Sequence, residues 1–306
     1  MLSVILPAYN EEKVVERAYK VIGSILDDAH IAFELIFVDD GSTDSTWSVI
    51  KEIGKADDRV RGIRFSRNFG KEPAMFAGLE ASKGDAVAVM DTDLQHPADK
   101  LPTMYKLWEE GYEVVEGVKL DRGKETAAYS FLSKSFYKVM SNATGFNMKD
   151  ASDFKLLDRK VVDTLNSLPE RNVFFRALSY WSGYKKTEVS YVVGDRVTGE
   201  SKWSVRKLVK YAVTNVLAFT SAPMHIVTVL GMITFAISII ISIYTLIQKI
   251  IGNSVEGFTT VILLLLFIGS IIMISIGIIG LYISKIYDEV KGRPKYIVAE
   301  RIGDKE

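Results

Sequence analysis

The stretch Glu34-Leu-Ile-Phe-Val-Asp-Asp-Gly-Ser-Thr-Asp44 determines the fold class of this chain. It opens with a short apolar run that is rich in strand-forming residues, and the polar cluster Asp39–Asp44 follows directly. A helical pattern then begins at Thr43. A buried strand that ends in a polar loop and leads into a helix is the repeating unit of a parallel α/β sheet.

The same unit recurs along the N-terminal part of the chain. The pattern predicts strands at Leu2–Leu6, Glu34–Val38, Val60–Phe65 and Asp85–Met90, and helices at Glu12–Asp28, Thr43–Gly54, Glu72–Ser82 and Ala98–Glu110. This alternation implies right-handed βαβ units and a mostly parallel, Rossmann-like sheet. Ligands of such sheets bind beyond the carboxyl ends of the strands. Polar clusters stand at three of those ends: Pro7–Glu11, Asp39–Asp44 and Asp91–Gln95.

Composition excludes several classes of protein. The 306 residues include 38 basic and 38 acidic side chains, and this balance argues against a nucleic-acid partner. Cysteine is absent, which excludes disulfide scaffolds and thiolate metal sites. The three histidines do not suffice for a multi-histidine zinc site. Any metal must therefore be held mainly by oxygen ligands, which points to Mg²⁺ or Mn²⁺.

Two common nucleotide-binding motifs are missing. A dinucleotide-binding domain needs G-x-G-x-x-G after its first strand, and Pro7–Glu11 contains no glycine. Gly70-Lys71 lacks the earlier glycine of a P-loop. Hydride transfer and P-loop hydrolysis are therefore disfavoured.

The stretch Asp91-Thr-Asp-Leu-Gln95 is the most informative chemically. Asp91 and Asp93 lie one residue apart at a strand end, and Gln95 follows, so their oxygens can surround one divalent cation. Magnesium is usually held by one or two carboxylates together with substrate phosphates, which indicates a diphosphate leaving group. Considered alone, such a pair of aspartates could instead be solvated loop residues with no metal. Asp39-Asp40 alone would likewise suit an ordinary turn or helix cap.

Two long apolar runs follow the α/β region. Ala222–Ile247 and Phe258–Ile283 contain no Asp, Glu, Lys or Arg, and each exceeds the roughly 20 residues that cross a bilayer core. Basic residues precede the first run and follow the second, whereas the connection between them carries only one lysine. The positive-inside rule then predicts that both termini are cytoplasmic. Glycines within the runs permit self-association as a homo-oligomer: Gly231, Gly269, Gly277 and Gly280.

The predicted organisation has four parts. Residues 1–200 form a cytoplasmic α/β domain and residues 201–220 an amphipathic juxtamembrane helix. That helix has an apolar face opposite Arg206, Lys207 and Lys210, as is typical of a helix lying on an anionic leaflet. Residues 221–284 form a transmembrane hairpin, and residues 285–306 form a cytoplasmic C-terminal tail.

Four successive motifs resemble those of family 2 glycosyltransferases, which have the GT-A fold. They are Pro7-Ala-Tyr-Asn-Glu-Glu12, Val38-Asp-Asp-Gly-Ser-Thr-Asp44, Ser66-Arg-Asn-Phe-Gly-Lys71 and Asp91-Thr-Asp-Leu-Gln-His-Pro97. More narrowly, the chain resembles the polyisoprenyl-phosphate glycosyltransferases, which include dolichol-phosphate mannose synthases and bacterial undecaprenyl-phosphate glucosyltransferases. The resemblance continues through Asp153–Arg159, Arg196–Trp203 and Arg293–Val298, and the two spans match the bacterial two-helix branch.

The resemblance implies roles for individual residues. Those expected to hold the nucleotide are Pro7, Tyr9, Glu11 and Asp40, with Asp91 near the ribose and the metal. Asp93 and Gln95 are the expected metal ligands. Those expected to bind the lipid phosphate or the departing diphosphate are Arg122, Arg196 and Lys202. Asp153 is the expected catalytic carboxylate, which orients the acceptor phosphate or removes its remaining proton; Asp150 is the alternative, and a structural cap is a further reading for Asp153.

The resemblance also implies a reaction. We expect an inverting, metal-dependent transfer of a hexose, glucose or N-acetylglucosamine, from a UDP-sugar to undecaprenyl phosphate at the bilayer, for modification of cell-wall or surface polymers. A GDP-mannose-using polyprenyl-phosphate mannose synthase and a non-catalytic nucleotide-sugar-binding scaffold are the alternatives. A processive polysaccharide synthase is disfavoured because the chain lacks the Q-x-x-R-W motif of those relatives.

Overall fold

A computed structural model describes residues 1–120, 141, 152–170, 174–192, 222–252 and 257–303. The chain divides into two compact units. The first comprises Met1–Leu208 together with Pro294–Glu306, and the second comprises Val209–Arg293. The predicted juxtamembrane helix at 201–220 lies outside the described residues, as do the candidate site residues Arg122, Arg196 and Lys202 and the alternative carboxylate Asp150.

The first unit is an α/β domain. Its strands are β1 (Leu2–Ala8), β2 (Phe33–Asp39), β3 (Val60–Phe65), β4 (Ala86–Val89), β5 (Val114–Lys119), β6 (Lys155–Asp158), β7 (Lys186–Tyr191) and β8 (Val298–Ile302). Its helices are α1 (Val15–Asp28), α2 (Thr46–Ala56), α3 (Lys71–Ala81), α4 (Leu101–Glu109), α5 (Arg159–Ser167) and α6 (Phe175–Trp181). The predicted strands and helices of the N-terminal region are confirmed, with ends that differ by a few residues.

The strands form one eight-stranded sheet with the order β7-β5-β6-β4-β1-β2-β3-β8. The first four strands in the chain run parallel, as the βαβ pattern predicts. Strand β6 is antiparallel to both of its neighbours, and β8 is antiparallel to β3. The sheet is therefore mostly parallel, with reversed strands inserted near one side and added at the other edge.

Helices cover both faces of the sheet, which explains the continuous apolar runs in its central strands. Successive strand residues point to opposite faces, so β2 sends Leu35 and Phe37 to one core layer and Ile36 and Val38 to the other. The larger layer receives apolar side chains from α1, α2 and α4, and the smaller layer receives them from α3. Because both faces of the sheet are buried, the polar loops emerge where the strands end.

The last strand, β8, follows the apolar hairpin in the chain. Val298–Ile302 pairs with β3, and Arg64 Nη1 donates to Glu300 Oε1 at 3.2 Å. Ile302 packs where a Cβ on Gly62 would lie only 2.7 Å from its Cγ1. The α/β sheet thus includes part of the predicted C-terminal tail, residues 285–306. A five-residue strand carries no local signal of a partner so distant in the chain.

The second unit contains two long helices, α7 (Ala222–Ile251) and α8 (Phe258–Val290). Both are long and apolar enough to cross a membrane, over Met224–Tyr244 and Phe267–Val290. Large apolar side chains on these spans are exposed, for example Phe235 and Met273, so these helices are not the buried core of a globular domain. The predicted pair of membrane-spanning candidates is confirmed.

Candidate active site

Strand register brings two carboxylates together at the end of the sheet. Val89 of β4 pairs with Lys155 of the antiparallel strand β6. Asp91 lies two residues beyond Val89, and Asp153 lies two residues before Lys155, so extending the ladder places them opposite each other. This antiparallel insertion therefore adds an acidic residue to an edge otherwise built from the ends of parallel strands.

A cation bridges the two carboxylates. Lys71 Nζ lies 2.5 Å from Asp91 Oδ1 and 2.8 Å from Asp153 Oδ2. Arg176 of α6 makes a two-pronged contact with Asp153, through Nε to Oδ1 at 2.6 Å and Nη2 to Oδ2 at 2.8 Å. Two acidic and two basic side chains thus form one charge cluster, to which we refer as the four-charge cluster.

The cluster keeps its carboxylates ionised. Burial alone would raise the pKa of Asp153, but the charges of Arg176 and Lys71 outweigh it and hold that pKa well below its ordinary value. Burial likewise opposes ionisation of Asp91, yet Lys71 lowers its pKa. Next to the cluster, Glu72 accepts from the Phe175 amide at 2.9 Å, and burial raises its pKa.

His96 supports this edge of the sheet. It is buried, its Nδ1 accepts from the Asp91 amide at 3.1 Å, and its ring stacks on Phe154 with centroids 5.1 Å apart. Burial lowers the pKa of His96 to about 4, so the imidazole is neutral at physiological pH. Its geometry is that of a loop support for Asp91.

The predicted metal ligands occupy a tight turn after β4. Asp93 Oδ1 accepts from the Gln95 amide at 3.0 Å, and Leu94 between them has a φ of 58°. A left-handed leucine is uncommon and carries backbone strain of about 1 kcal/mol or more, so the surrounding loop holds this turn. Within the described ranges, no group of three or more His, Cys, Asp or Glu side chains could hold a metal by itself. An oxygen set this small fits Mg²⁺ or Mn²⁺, which take their remaining ligands from substrate phosphates and water.

The loops after β1 and β2 form the predicted nucleotide half of the site. Hydrogen bonds from backbone amides to side chains join them: the Asn10 amide donates to Ser42 Oγ at 2.9 Å, the Glu11 amide to Thr46 Oγ1 at 2.8 Å, and the Ser45 amide to Glu12 Oε2 at 3.0 Å. Tyr9 is 42% exposed, and its ring is available to stack on a base. The Pro7 carbonyl accepts from Thr92 Oγ1 at 2.8 Å, which connects this half to the loop of Asp91.

Asp40 supports the third loop of the site. Its Oδ1 accepts from the Phe69 amide at 2.6 Å and its Oδ2 from the Gly70 amide at 2.9 Å, directly before Lys71. Burial raises the pKa of Asp40 to about 6 despite these bonds. Gly41 follows, where a Cβ would lie 2.4 Å from the Arg67 backbone. The carboxylate that the resemblance assigns to nucleotide binding thus also positions the loop that carries Lys71.

All eight predicted site residues that the structure describes lie at one end of the sheet: Pro7, Tyr9, Glu11, Asp40, Asp91, Asp93, Gln95 and Asp153. Sequence reasoning missed the two cations of the four-charge cluster. Lys71 is the last residue of the motif Ser66–Lys71 and the first residue of α3. A cation at the start of a helix was the signal that could have identified it. Arg176 lies on a short helix, with no pattern that connects it to Asp153.

Comparisons with known proteins identify the family of the chain. The model of glycosyl transferase family 2 matches residues 3–165, and that of the GtrB C-terminal hairpin matches residues 222–286. The chain is 36% identical over 303 residues to the uncharacterized glycosyltransferase YkcC of Bacillus subtilis, a match that covers 98% of this chain and 94% of the relative. It is 35% identical over 299 residues to the SfII prophage-derived bactoprenol glucosyl transferase of Shigella flexneri, covering 97% of each.

A solved structure shares the fold. Glucosyl-3-phosphoglycerate synthase from Mycobacterium tuberculosis, determined with Mn²⁺, UDP-glucose and phosphoglyceric acid, matches with a TM-score of 0.50 and 21% identity. The match covers 71% of this chain and 79% of that one. At this identity the comparison supports the GT-A type of sheet and nothing narrower.

Proposed function

Because the chain belongs to glycosyl transferase family 2 and is a glycosyltransferase, we propose that it moves glucose from UDP-glucose to undecaprenyl phosphate. The observation that carries this proposal is the near full-length similarity to a bactoprenol glucosyl transferase, which extends across both the catalytic sheet and the apolar hairpin. N-acetylglucosamine is the alternative sugar on the same reasoning.

The donor would bind over the loops after β1, β2 and β4. Tyr9 offers a stacking face for the base, and Asp40 an acceptor for a ring N–H. Asp93 and Gln95 would hold Mg²⁺ or Mn²⁺, with Asp91 beside it. When bound, such an ion neutralises charge on the departing diphosphate. The protein contributes a turn that already holds the Asp93 carboxylate, which accepts from the Gln95 amide.

The acceptor phosphate would meet the four-charge cluster. A phosphate monoester has a second pKa near 6, so it is largely dianionic at neutral pH and needs little help from a base. One of its oxygens forms the bond to the anomeric carbon while the bond from that carbon to the diphosphate breaks, and UDP leaves. Attack opposite the leaving group inverts the anomeric centre and gives a β-linked product from an α-linked donor.

The geometry favours an orienting role for Asp153 over proton removal. Both of its oxygens are engaged by cations, and those cations hold its pKa well below the ordinary value. A carboxylate in this state is a weak proton acceptor. Its function would be to hold Arg176 and Lys71 where an incoming phosphate can share their charge.

The sheet supports a topology in which both flanks of the hairpin lie on the same side of the membrane. Residues before and after the apolar hairpin belong to the same compact unit, so both flanks lie on one side of any membrane the hairpin crosses. The basic residues on both flanks support the proposal that this side is the cytoplasm. The enzyme would therefore act at the leaflet where cytoplasmic UDP-sugars are available.

The test is a transfer assay with the purified full-length chain in lipid nanodiscs. Radiolabelled UDP-glucose, UDP-N-acetylglucosamine and GDP-mannose are each supplied with undecaprenyl phosphate, and the lipid product is separated by chromatography. We expect label in the lipid fraction from UDP-glucose, and none with Asp93→Asn. Transfer only from GDP-mannose would support the mannose synthase instead. Nucleotide binding without transfer from any donor would indicate the non-catalytic scaffold.

A further inference from the structure

We infer that Glu116 is a positioning residue that fixes both members of the Asp153–Arg176 pair. Glu116 is 1% exposed and lies on β5, behind the four-charge cluster. The inference rests on the proposed function, in which that cluster receives the acceptor phosphate. Nothing in the sequence motifs singles Glu116 out.

One carboxylate oxygen of Glu116 holds the segment that carries Asp153. Glu116 pairs across the ladder with Lys155 of β6, and Lys155 Nζ lies 2.9 Å from Glu116 Oε1. The same oxygen accepts from the Ser152 amide at 3.0 Å. Ser152 Oγ in turn accepts from the Phe154 amide at 3.1 Å, so the backbone is fixed on both sides of Asp153.

The other oxygen of Glu116 holds the helix that carries Arg176. Glu116 Oε2 accepts a short hydrogen bond from the Tyr180 hydroxyl. Tyr180 lies four residues after Arg176 on α6, so the two side chains emerge from the same helix face one turn apart. Helix α6 is thereby connected to the sheet at two points, Arg176 to Asp153 and Tyr180 to Glu116.

The energetics of burial argue for a geometric role. The side chains of Glu116 and Lys155 are each 1% exposed, and a buried ion pair often stabilises a protein no better than an apolar pair of the same size. Lys155 Nζ also lies 4.5 Å from the centre of the Tyr180 ring, which adds a cation–π contact within the same group. What these charges supply beyond apolar packing is a unique relative placement of β5, β6 and α6.

Tyr180→Phe isolates this role, because it removes one hydroxyl and leaves the ring in place. We expect kcat for transfer to undecaprenyl phosphate to fall about 10-fold, the size of effect typical for outer residues that orient a functional group. The KM for UDP-glucose and the affinity for UDP should stay near the wild-type values, because the nucleotide loops lie elsewhere on the sheet edge. Glu116→Gln should lower kcat at least as far, since it also leaves the buried charge of Lys155 unpaired.

The matched control is Tyr19→Phe. Tyr19 on α1 also donates from its hydroxyl to a carboxylate, that of Asp57 at 3.0 Å, but outside the site. A Glu116→Gln/Lys155→Met double variant removes the unpaired charge and should recover the melting temperature of wild type without recovering kcat. Equal kcat values for Tyr180→Phe and Tyr19→Phe, or a double variant that recovers both melting temperature and kcat, would overturn the inference. A wild-type chain with no transfer activity would instead refute the proposed function.

Discussion

The two halves of the candidate site are built from different interactions. In the nucleotide half, backbone amides of the loops after β1 and β2 donate hydrogen bonds across to side chains, both neutral ones (Ser42, Thr46 and Asn10) and the carboxylates of Asp44 and Glu12. In the acceptor half, Asp91, Asp153, Lys71 and Arg176 compensate one another's charge. In the first arrangement, the loss of one hydrogen bond has a local effect. In the second, removal of one charged side chain leaves the charges of its partners uncompensated.

This difference predicts how far the effect of a substitution extends beyond the substituted residue. A single hydrogen bond from a backbone amide contributes about 1 kcal/mol net, and its loss leaves neighbouring bonds intact. A buried charge that loses its partner costs several kcal/mol and forces its neighbours to reorganise. Substitutions in the nucleotide half should therefore change binding alone, and those in the acceptor half should change turnover. The predictions below test this division, beginning with the largest effect.

Removal of divalent metal should abolish transfer altogether. Asp93 and Gln95 lie between the two halves. An ion held there would neutralise charge on the diphosphate, which is part of the nucleotide and also the leaving group of the transfer. Treatment of the full-length protein with EDTA should reduce transfer to background, and Mg²⁺ or Mn²⁺ should restore it. Full activity in excess chelator would show that transfer does not require a metal. The cations of the four-charge cluster would then be the main source of positive charge for the phosphates.

Asp153→Asn should lower kcat by about 100-fold or more, because Arg176 and Lys71 lose the carboxylate that orients them. The affinity for UDP, measured by calorimetry, should remain near wild type. Asp163→Asn is the matched control, since Asp163 also pairs with an arginine, Arg159 at 3.7 Å, but on an exposed face of α5. Wild-type kcat in Asp153→Asn would show that the acceptor half does not depend on this carboxylate.

Tyr9→Ala should weaken UDP binding by about 10-fold, as expected for the loss of one stacking face worth 1–3 kcal/mol. The KM for undecaprenyl phosphate should not change, because Tyr9 belongs to the nucleotide half. Tyr9→Phe serves as the control, since it keeps the aromatic face. A Tyr9→Ala variant that binds UDP normally but loses lipid turnover would reverse the division between the halves.

Asp40→Asn should have the smallest effect on turnover and a clear effect on stability against pH. Burial raises the pKa of Asp40 from 3.8 to about 6 in the folded protein. A group whose pKa is raised on folding stabilises fully below its unfolded pKa, and this contribution is lost as pH rises through about 6. The melting temperature of wild type relative to Asp40→Asn should therefore fall between about pH 4 and pH 7. A pH-independent difference would contradict the raised pKa.

The nucleotide half was predictable because its parts are local in sequence. Each polar cluster follows its own strand, and parallel strands bring their carboxyl ends to one edge by the rules of βαβ connection. Tyr9 and Asp40 could thus be placed at the carboxyl ends of the strands before the structure was known. The hairpin was predictable for a similar reason, since each span is one uninterrupted apolar run.

The acceptor half was not predictable from the residues themselves. Its geometry depends on β6 running antiparallel between β4 and β5, which places Asp153 opposite Asp91 through ladder register. No periodicity in the sequence specifies that insertion, and Arg176 reaches Asp153 from a short helix that follows later in the chain. The resemblance supplied Asp153 as a candidate, but its cations and Glu116 required the three-dimensional arrangement.

The placement of β8 has a consequence for how the protein is made. Arg64 and Glu300 are 236 residues apart in the chain, and both apolar helices lie between them. During synthesis β3 remains an open sheet edge until the hairpin has been translated, and open edges are prone to pair with other chains. On the proposed topology, completion of the sheet requires that the second helix return the chain to the side of the membrane on which it started. Closure of this edge thus reports correct insertion, and a nascent chain whose hairpin fails to return should display β3 to chaperones and proteases. Pulse-chase proteolysis of a chain carrying charged residues in α8 would measure this, and protease resistance equal to wild type would contradict it.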